Sequence, residues 1–298
     1  MKNILIIGCG LLGSSLLRRI QKKKIANKIY IYEKSNSNLT KIKRLKLPGK
    51  IVRKLEDGVK NSDLIILCTP MSEYKNLILK MNKFLSTKTI ITDIGSSKLE
   101  SSRIIKKYLR KDVFWTQSHP ITGSEVSGPE HGKHDIFEKK WCVLIKEKNT
   151  KKNHLKILNN FWKKIGSKVV VMTPEKHDKI FSMTSHLPHL IAYNLVKSAQ
   201  DFEKIQNFNL IKYSAGGLRD FSRIAASNEI MWRDIFFNNK QNISKAIDLF
   251  IKNLNSFKKD INSKNNKSIL KKLIQTKKVR SKIIKLKQDI DKPDFGRN

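Results

Sequence analysis

Hydrophobic positions follow two different patterns in the two parts of the chain. Up to about residue 172, short apolar runs alternate with amphipathic segments, which is typical of strands followed by helices. Beyond residue 172 the apolar residues recur every three or four positions, and this spacing favours helices. The first pattern predicts strands at residues 2–7, 28–33, 51–55, 63–68, 89–93 and 113–116 and, at the end of this part, 168–172.

The second pattern predicts a run of helices, two of which begin with a proline. Pro174 starts a helix that continues to Ser185, and Pro188 lies at the start of the next one. Apolar residues of the lysine-rich tail also recur at helical spacing between Ile269 and Ile284, so we expect a final packed helix there. The other predicted helices span residues 187–201, 214–239 and 243–261.

Together these patterns predict an α/β fold with two domains. The N-terminal domain, residues 1–172, contains a doubly wound parallel sheet, because strands and helices alternate along it. An all-helical domain, residues 173–298, follows and ends in a basic tail. A length of 298 residues agrees with two domains.

A glycine-rich turn joins the first predicted strand to its helix. Gly8 permits a tight turn, Gly10 lets a pyrophosphate approach the backbone, and Gly13 lets the helix pack closely on its strand. Glu33 ends the second strand and is placed to bind a ribose diol, which favours NAD over NADP, although Lys34 beside it weakens that preference. We therefore predict an NAD-binding Rossmann domain. The residues predicted to contact the cofactor here are Gly8, Gly10, Leu11, Leu12, Gly13 and Glu33.

Further candidate site residues lie where the predicted strands end. Ligands of parallel sheets bind beyond the carboxyl ends of the strands, and three loops follow such ends, at residues 69–72, 93–98 and 118–123. The first loop adds Thr69 and Pro70 as candidate cofactor contacts. Ser96 lies in the second loop, where capping of the following helix is a competing role. The third loop contains His119, whose neutral imidazole can act as a general base.

The charge of the chain is strongly positive. A formal charge of +37 and an isoelectric point near 10.1 would suit a nucleic-acid or anionic-membrane partner. The excess is spread along the whole chain and is almost all lysine, so we attribute it to composition bias and expect neither partner. Between residues 111 and 279, arginine occurs only at Arg219, Arg223 and Arg233, which are therefore candidates for carboxylate recognition or ion pairing.

The cysteines and apolar runs indicate where the protein resides. Cys9, Cys68 and Cys142 have neither disulfide nor metal-ligand spacing, as expected in a reducing compartment. The N-terminal apolar run, Ile4 to Ile7, is shorter than the roughly 7–15 residues of a secretion signal. No run of about 18 apolar residues occurs. We expect a cytoplasmic protein without a membrane span.

Five motifs resemble, in their order along the chain, those of the prephenate and arogenate dehydrogenases. They are GCGLLGSS at 8–15, DIGSSK at 93–98, HPITGSEVSG at 119–128, SHLPH at 185–189, and GGLRDFSRIA at 216–225 with MWRDI at 231–235. The resemblance extends from residue 1 to about residue 260. It implies an NAD-dependent oxidative decarboxylation in which a cyclohexadienol ring becomes aromatic. The product would be 4-hydroxyphenylpyruvate from prephenate, or tyrosine from arogenate.

The resemblance also implies roles for individual residues. His119 matches the family's catalytic histidine, which accepts the proton of the substrate hydroxyl, and Ser96 matches a serine that contacts both substrate and cofactor. Arg223 matches the substrate-binding arginine, and His189 matches a histidine that binds the side chain of the substrate. The other positions that the family uses around the substrate are Ser124, Gly216, Asp220 and Trp232, with core packing as the competing role of Trp232.

Three alternatives remain open at this point. His177, His186 and His189 could hold zinc, but no cysteine or suitably spaced carboxylate completes the set, so we expect no metal. Another Rossmann dehydrogenase, of the β-hydroxyacid type or an imine reductase, would use a catalytic lysine or other donors in place of His119. A basic nucleic-acid-binding protein with a Rossmann fold would show binding that falls steeply with salt.

Substrate choice and assembly are partly indicated by the sequence. Glu125 could meet the ammonium group of arogenate or pair with a lysine, so a cyclohexadienyl dehydrogenase of dual specificity is the broader description. The resemblance implies a homodimer formed through the helical domain, whose apolar stripes at 243–261 and 269–284 could form the interface. We also expect neither a regulatory ACT domain nor a fused chorismate mutase, because too few residues flank the resembling region.

Overall fold

A six-stranded parallel sheet forms the centre of the N-terminal part of the computed structural model, which describes residues 2–207 and 209–288. The strand order is β3-β2-β1-β4-β5-β6, which confirms the predicted doubly wound sheet. The strand order reverses between β1 and β4, and ligands of such sheets bind at this switch point. The strands are β1 (Asn3–Ile7), β2 (Lys28–Tyr32), β3 (Lys50–Ile51), β4 (Leu64–Leu67), β5 (Ile90–Asp93) and β6 (Phe114–Trp115).

A second sheet of three strands adjoins the carboxyl end of β5. It consists of β7 (Ser118–Pro120), β8 (Trp141–Ile145) and β9 (Lys168–Met172), with β7 antiparallel and β9 parallel to β8. The expectation that His119 lies in a loop is therefore wrong, because His119 is the central residue of β7 and pairs with Val143. An edge strand of three residues that ends in proline carries no alternating pattern, so the sequence did not indicate it.

Helices cover both faces of the six-stranded sheet. On one face, Leu16, Leu17 and Trp162 are fully buried with the side chains of β1 and β4. On the other face, Tyr74 and Met81 belong to a second buried cluster. The helices of this part are α1 (Leu11–Lys22), α2 (Asn36–Arg44), α3 (Leu55–Lys60), α4 (Tyr74–Met81), α5 (Leu99–Tyr108) and α6 (Lys152–Ile165).

Helices joined by short loops form the rest of the described chain, as predicted, but one predicted helix is split and one predicted break is absent. The predicted helix 214–239 is two helices, because the Asn228 side chain accepts the N–H of Met231 and starts a new one. The predicted break before Leu187 is absent, because a π-helical turn at Ser182–His186 joins the flanking helices and accommodates Pro188. The helices are α7 (Pro174–Phe181), α8 (Leu187–Gln206), α9 (Gly216–Ala225), α10 (Glu229–Asn238), α11 (Lys240–Asn262) and α12 (Asn266–Lys285).

The two parts of the chain share buried surface. Trp232 and Ile235 of α10 belong to the same hydrophobic cluster as Tyr74 on the sheet. The predicted final helix is present as α12, but its apolar residues Leu273 and Ile274 are about half exposed within one chain. The end of the expected helical domain, residues 289–298, lies outside the described residues. In the part of the chain that the structure describes, no helix combines the length and apolarity needed to cross a bilayer.

Candidate active site

The glycine turn between β1 and α1 has the shape required by a dinucleotide. Gly8 has φ +89°, and a Cβ atom there would lie 2.8 Å from the carbonyl oxygen of Cys68. A Cβ atom on Gly13 would lie 2.1 Å from the carbonyl oxygen of Gly8, whereas a Cβ on Gly10 would meet no atom within 4 Å. The space beside Gly10 is thus open for a ligand, while the other two glycines are required by the protein itself.

Two polar side chains next to the turn are suited to the same ligand. Glu33, at the end of β2, accepts the N–H of Cys9 at 2.7 Å and the N–H of Ser35 at 2.8 Å, which fixes its carboxylate at the turn. Thr69, two residues after β4, has a buried hydroxyl without a hydrogen-bond partner in the described part of the chain. An unpaired buried hydroxyl is costly, so a ligand group that pairs with it is favoured. These residues fit NAD.

Adding a methyl group is expected to have different effects at Gly10, which faces open space, and at Gly13, which packs against the protein. We expect Gly10→Ala to leave the thermal unfolding temperature unchanged but to weaken NAD+ binding about tenfold or more. We expect Gly13→Ala to destabilise the fold by about 1–3 kcal/mol, because its methyl group overlaps the Gly8 carbonyl. NAD+ titration by tryptophan fluorescence and thermal unfolding measure the two effects. Equal losses of stability in the two variants would contradict the assignment of Gly10 to the ligand.

The loop between β5 and α5 contains Ser96, which is half-buried at the carboxyl edge of the sheet. The competing role of Ser96 as helix cap is wrong. Asp178 of α7 accepts the N–H of Lys98 at 2.8 Å and the N–H of Leu99 at 2.9 Å, so the cap comes from the helical part of the chain. This contact also holds α7 against the loop that contains Ser96.

His119 lies on β7, which adjoins the carboxyl end of β5, and is in contact with α7. Its side chain is buried, and its Nδ1 lies 2.8 Å from Nε2 of His177. The ring of Phe181 packs against it, with centroids 5.1 Å apart. Burial lowers the pKa of His119 well below its ordinary value, and the neighbouring His177 and Lys98 lower it further. His119 is therefore neutral at neutral pH and able to accept a proton.

A buried ion pair supports the same region and was not predicted. Lys98 Nζ lies 2.6 Å from Asp93 Oδ2 and 2.7 Å from the carbonyl oxygen of Ser118, and the side chains of Lys98 and Asp93 are fully buried. Asp93 also accepts the hydroxyl of Tyr74 at 2.9 Å and the indole N–H of Trp115 at 3.1 Å. Lys98 thus joins the end of β5 to β7 one residue before His119.

The predicted residues of α8 and α10 form a second group. The rings of His189 and Trp232 are stacked with centroids 3.8 Å apart. Nδ1 of His189 donates to the carbonyl oxygen of Ser185 at 2.9 Å. Burial lowers the pKa of His189, so at neutral pH the ring is neutral, and its Nε2 is unprotonated and can accept from a donor. Trp232 is buried in the core, as its competing role requires, yet its indole N–H has no partner in the described residues. Nδ1 of His186 lies 3.1 Å from Nδ2 of Asn239, and burial lowers the pKa of His186 to about 4.

A third group surrounds the first turns of α9. Gly216 is the first residue of this helix, and Asp220 and Arg223 follow along it. Nη1 of Arg223 lies 3.6 Å from Oε2 of Glu125. Glu125 therefore pairs with this arginine and not with a lysine, which was one of the partners considered from the sequence. Ser124 donates to the Glu125 carboxylate at 3.0 Å. These groups hold the loop after β7 next to α9, because that loop contains both Ser124 and Glu125.

The histidines that could have held zinc have other partners. His177 contacts His119 and Asp178, and His189 contacts a backbone carbonyl. Within residues 2–207 and 209–288, no group of three histidine, cysteine, aspartate or glutamate side chains is arranged to hold a metal. The contact of His177 with His119 was not predicted from the sequence. The only signal for it was an adjacent His-Asp pair in a helix that begins after the last strand.

Two family models match consecutive parts of the chain. The nucleotide-binding domain of prephenate dehydrogenase matches residues 16–171, and the dimerization domain of prephenate dehydrogenase matches residues 173–276. The cyclohexadienyl dehydrogenase of Zymomonas mobilis is 31% identical over 290 residues, which cover 97% of this chain and 98% of that protein. The prephenate dehydrogenase of Bacillus subtilis is 30% identical over 257 residues, 86% of this chain and 69% of that protein.

Solved structures agree with these matches. The crystal structure of prephenate dehydrogenase from Aquifex aeolicus, in complex with hydroxyphenyl propionate and NAD+, has a TM-score of 0.88 and 34% identity, covering 95% of this chain and 98% of that one. The Synechocystis arogenate dehydrogenase has the same fold, with a TM-score of 0.76 at 22% identity, over 94% of this chain and 99% of that one. The chain therefore belongs to the prephenate dehydrogenase family.

Proposed function

We propose that this protein is an NAD-dependent cyclohexadienyl dehydrogenase that converts prephenate to 4-hydroxyphenylpyruvate and carbon dioxide. Arogenate, which gives tyrosine directly, is the alternative substrate. The observation that carries the proposal is the buried, neutral His119 at the carboxyl edge of a dinucleotide-binding sheet. Family membership supports the same reaction, because relatives that align with nearly the whole chain are named for it.

In this reaction, His119 acts as the base. It accepts the proton of the hydroxyl on ring carbon C4 as that carbon becomes a carbonyl carbon, and Ser96 is the proposed second contact of the same hydroxyl. Bound NAD+ supplies the acceptor for the hydride of C4. Loss of the ring carboxylate as carbon dioxide then leaves a phenolate oxygen, to which His119 returns its proton. The residues proposed to hold the cofactor are Gly8, Gly10, Leu11, Leu12, Gly13, Glu33, Thr69, Pro70 and Ser96.

The other groups of the site bind the substrate. Arg223 provides a planar cation for one of the two substrate carboxylates, in exchange for its contact with Glu125. The unprotonated Nε2 of His189 and the unpaired indole N–H of Trp232 provide an acceptor and a donor. Ser124, Gly216 and Asp220 are the remaining proposed contacts, next to Arg223 along α9 and in the facing loop.

The proposal is tested by NADH formation at 340 nm with the purified protein. Prephenate and arogenate are compared as substrates, each with NAD+ and with NADP+. We expect turnover with NAD+, and the ratio of kcat/KM for the two substrates names the physiological reaction. No turnover with either substrate and either cofactor would overturn the proposal and return the chain to the wider class of Rossmann dehydrogenases.

Substrate choice is predicted to depend on Glu125. A carboxylate attracts the ammonium group of arogenate, whereas prephenate has a keto group at that position. We expect Glu125→Gln to lower kcat/KM for arogenate relative to prephenate about tenfold, as the loss of a charge-assisted hydrogen bond predicts. Glu100→Gln removes a carboxylate from an exposed ion pair on α5 and serves as the control. An unchanged substrate ratio in Glu125→Gln would exclude this role.

The helical part of the chain is proposed to form the dimer. Its match to a dimerization domain supports association of two copies. Exposed apolar residues lie on α11 and α12, the two helices predicted to form the interface, and we place it on Leu249, Leu254 and Ile261 of α11 and on Leu273 and Ile274 of α12. We also propose the domain boundary at residues 172/173, between β9 and the Thr173 cap of α7. The cytoplasmic location stays a prediction.

A further inference from the structure

The proposed base, His119, is the first member of a continuous series of two imidazoles and one carboxylate. Nδ1 of His119 lies 2.8 Å from Nε2 of His177, and Nδ1 of His177 lies 2.8 Å from Oδ1 of Asp178. The side chains of His177 and Asp178 are fully buried. Neither side chain is among the proposed contacts of substrate or cofactor, yet each lies at hydrogen-bond distance from the next member of the series.

The partners of Asp178 fix the direction of these hydrogen bonds. Its carboxylate accepts the backbone N–H of Lys98 on Oδ1 and that of Leu99 on Oδ2. Backbone N–H groups can only donate, so Asp178 serves as an acceptor for both. Burial raises the pKa of Asp178, whereas the backbone N–H groups of Leu99 and Lys98 lower it, because they donate to the charged form. At neutral pH the carboxylate is ionised and acceptor-only, so the proton between Asp178 and His177 lies on Nδ1 of His177.

The same rule extends along the series to His119. Burial lowers the pKa of His177 well below its ordinary value, and the positive charge of Lys98 and the nearby His186 lower it further, so His177 is neutral. A neutral imidazole with a proton on Nδ1 has a free electron pair on Nε2. Nε2 of His177 therefore accepts a hydrogen bond, and its donor is Nδ1–H of His119. Nε2 of His119 is left without a proton.

The surroundings keep the three groups in this arrangement. Phe181 packs against both imidazoles, with centroids 5.1 Å from His119 and 4.5 Å from His177. Asn239, which lies between α10 and α11, donates to the backbone carbonyl of Asp178 at 2.8 Å. At one end of the series, His119 is fixed on β7. At the other end, Asp178 lies on α7 and caps α5, so it is held by both parts of the chain.

We propose that His177 and Asp178 are positioning residues, which hold His119 in the tautomer that has its proton on Nδ1 and its basic electron pair on Nε2. Nε2 is then the atom that accepts the proton of the substrate hydroxyl. The proposal rests on the proposed function for its kinetic consequence. The tautomer itself is a property of the protein without substrate, so it can be measured separately.

The tautomer is read by long-range 1H–15N NMR of protein labelled with 15N-histidine, with the His119 signals identified by their loss in His119→Asn. We expect a protonated Nδ1 and an unprotonated Nε2 for His119 of the wild type at neutral pH. His177→Gln keeps an acceptor for Nδ1–H and should retain this pattern, whereas His177→Leu removes the acceptor and should give mixed tautomers. A wild-type His119 that is protonated on Nε2 would overturn the proposal.

Kinetics provide the second readout. We expect His177→Leu to lower kcat about 10–100-fold while KM for prephenate changes less than about threefold, and His177→Gln to recover most of kcat. A His177→Leu variant with wild-type kcat and a wild-type tautomer would overturn the positioning role. If the wild type converts neither prephenate nor arogenate, the proposed function fails, whereas the NMR spectrum still decides the tautomer of His119.

Discussion

Replacing His119 by asparagine is expected to lower kcat about 10³-fold, within the range of 10² to 10⁴ that general-base catalysis contributes. Asparagine can still form a hydrogen bond with a substrate hydroxyl, but its amide cannot accept a proton at neutral pH. KM for the substrate should therefore change little. The measurement is NADH formation at 340 nm under saturating NAD+, with kcat and KM determined separately. The exposed His131 offers a matched control, and His131→Asn should retain wild-type kcat.

The pH dependence of the wild type tests the same assignment. The base must be neutral to act, and burial lowers the pKa of His119 well below 6.5. Activity should therefore persist as the pH falls through 6.5 and decline only at more acidic pH, where His119 becomes protonated. A profile of kcat/KM that already loses half its value at pH 6.5 or above would point to a different base, or to a His119 that solvent reaches.

The sequence predicted the parts of the fold that depend on local signals. Residues 2–33 are an example, because they contain a strand, a glycine turn, a helix and a second strand that ends in an acidic residue. These elements follow one another directly in the chain, and their order is the signal of a dinucleotide-binding unit. The three-stranded sheet depends on pairing between residues more than 20 positions apart, as Ser118 and Leu144 illustrate. Neither a strand of three residues nor a π-helical turn has a hydrophobic period of its own, so neither was predicted.

Candidate site residues were also predicted only where the signal lies along the chain. His119, Ser96, His189 and Arg223 lie within motifs whose order resembles a known family, and the structure places His119 at the carboxyl edge of the sheet. His177 was considered only as a zinc ligand, because nothing in its neighbourhood along the chain indicates a contact with a residue 58 positions earlier. Asp93 and Lys98 were seen as members of a loop motif, but their burial and pairing depend on β7 and on Tyr74.

The buried pair of Asp93 and Lys98 is unusual because both of its charges are removed from water. Such burial is costly, and the cost is offset only where both partners and their remaining hydrogen-bonding atoms are satisfied. Here Lys98 has two acceptors, and the Asp93 carboxylate also accepts the hydroxyl of Tyr74 and the backbone N–H of Gly95. After burial and His177, the positive charge of Lys98 also lowers the pKa of His119, the proposed base.

Replacing Lys98 by methionine is therefore expected to lower the free energy of unfolding by about 3–5 kcal/mol, because it leaves the Asp93 carboxylate buried without its cation. Urea denaturation, followed by tryptophan fluorescence and far-UV circular dichroism, measures this loss, and coincident curves establish a single transition. The control is Arg103→Met, which breaks the exposed pair with Glu100 on α5 and should cost about 1 kcal/mol or less.

Removing both charges separates the ion pair from the packing of its side chains. In the double variant Asp93→Asn/Lys98→Met no uncompensated charge remains, and the asparagine oxygen can still accept a hydrogen bond from Tyr74. We expect the double variant to be less destabilised than the sum of the two single variants by about 2 kcal/mol. A Lys98→Met variant as stable as Arg103→Met, or single-variant losses that simply add, would mean that the pair contributes to the pKa of His119 without holding β5 and β7 together.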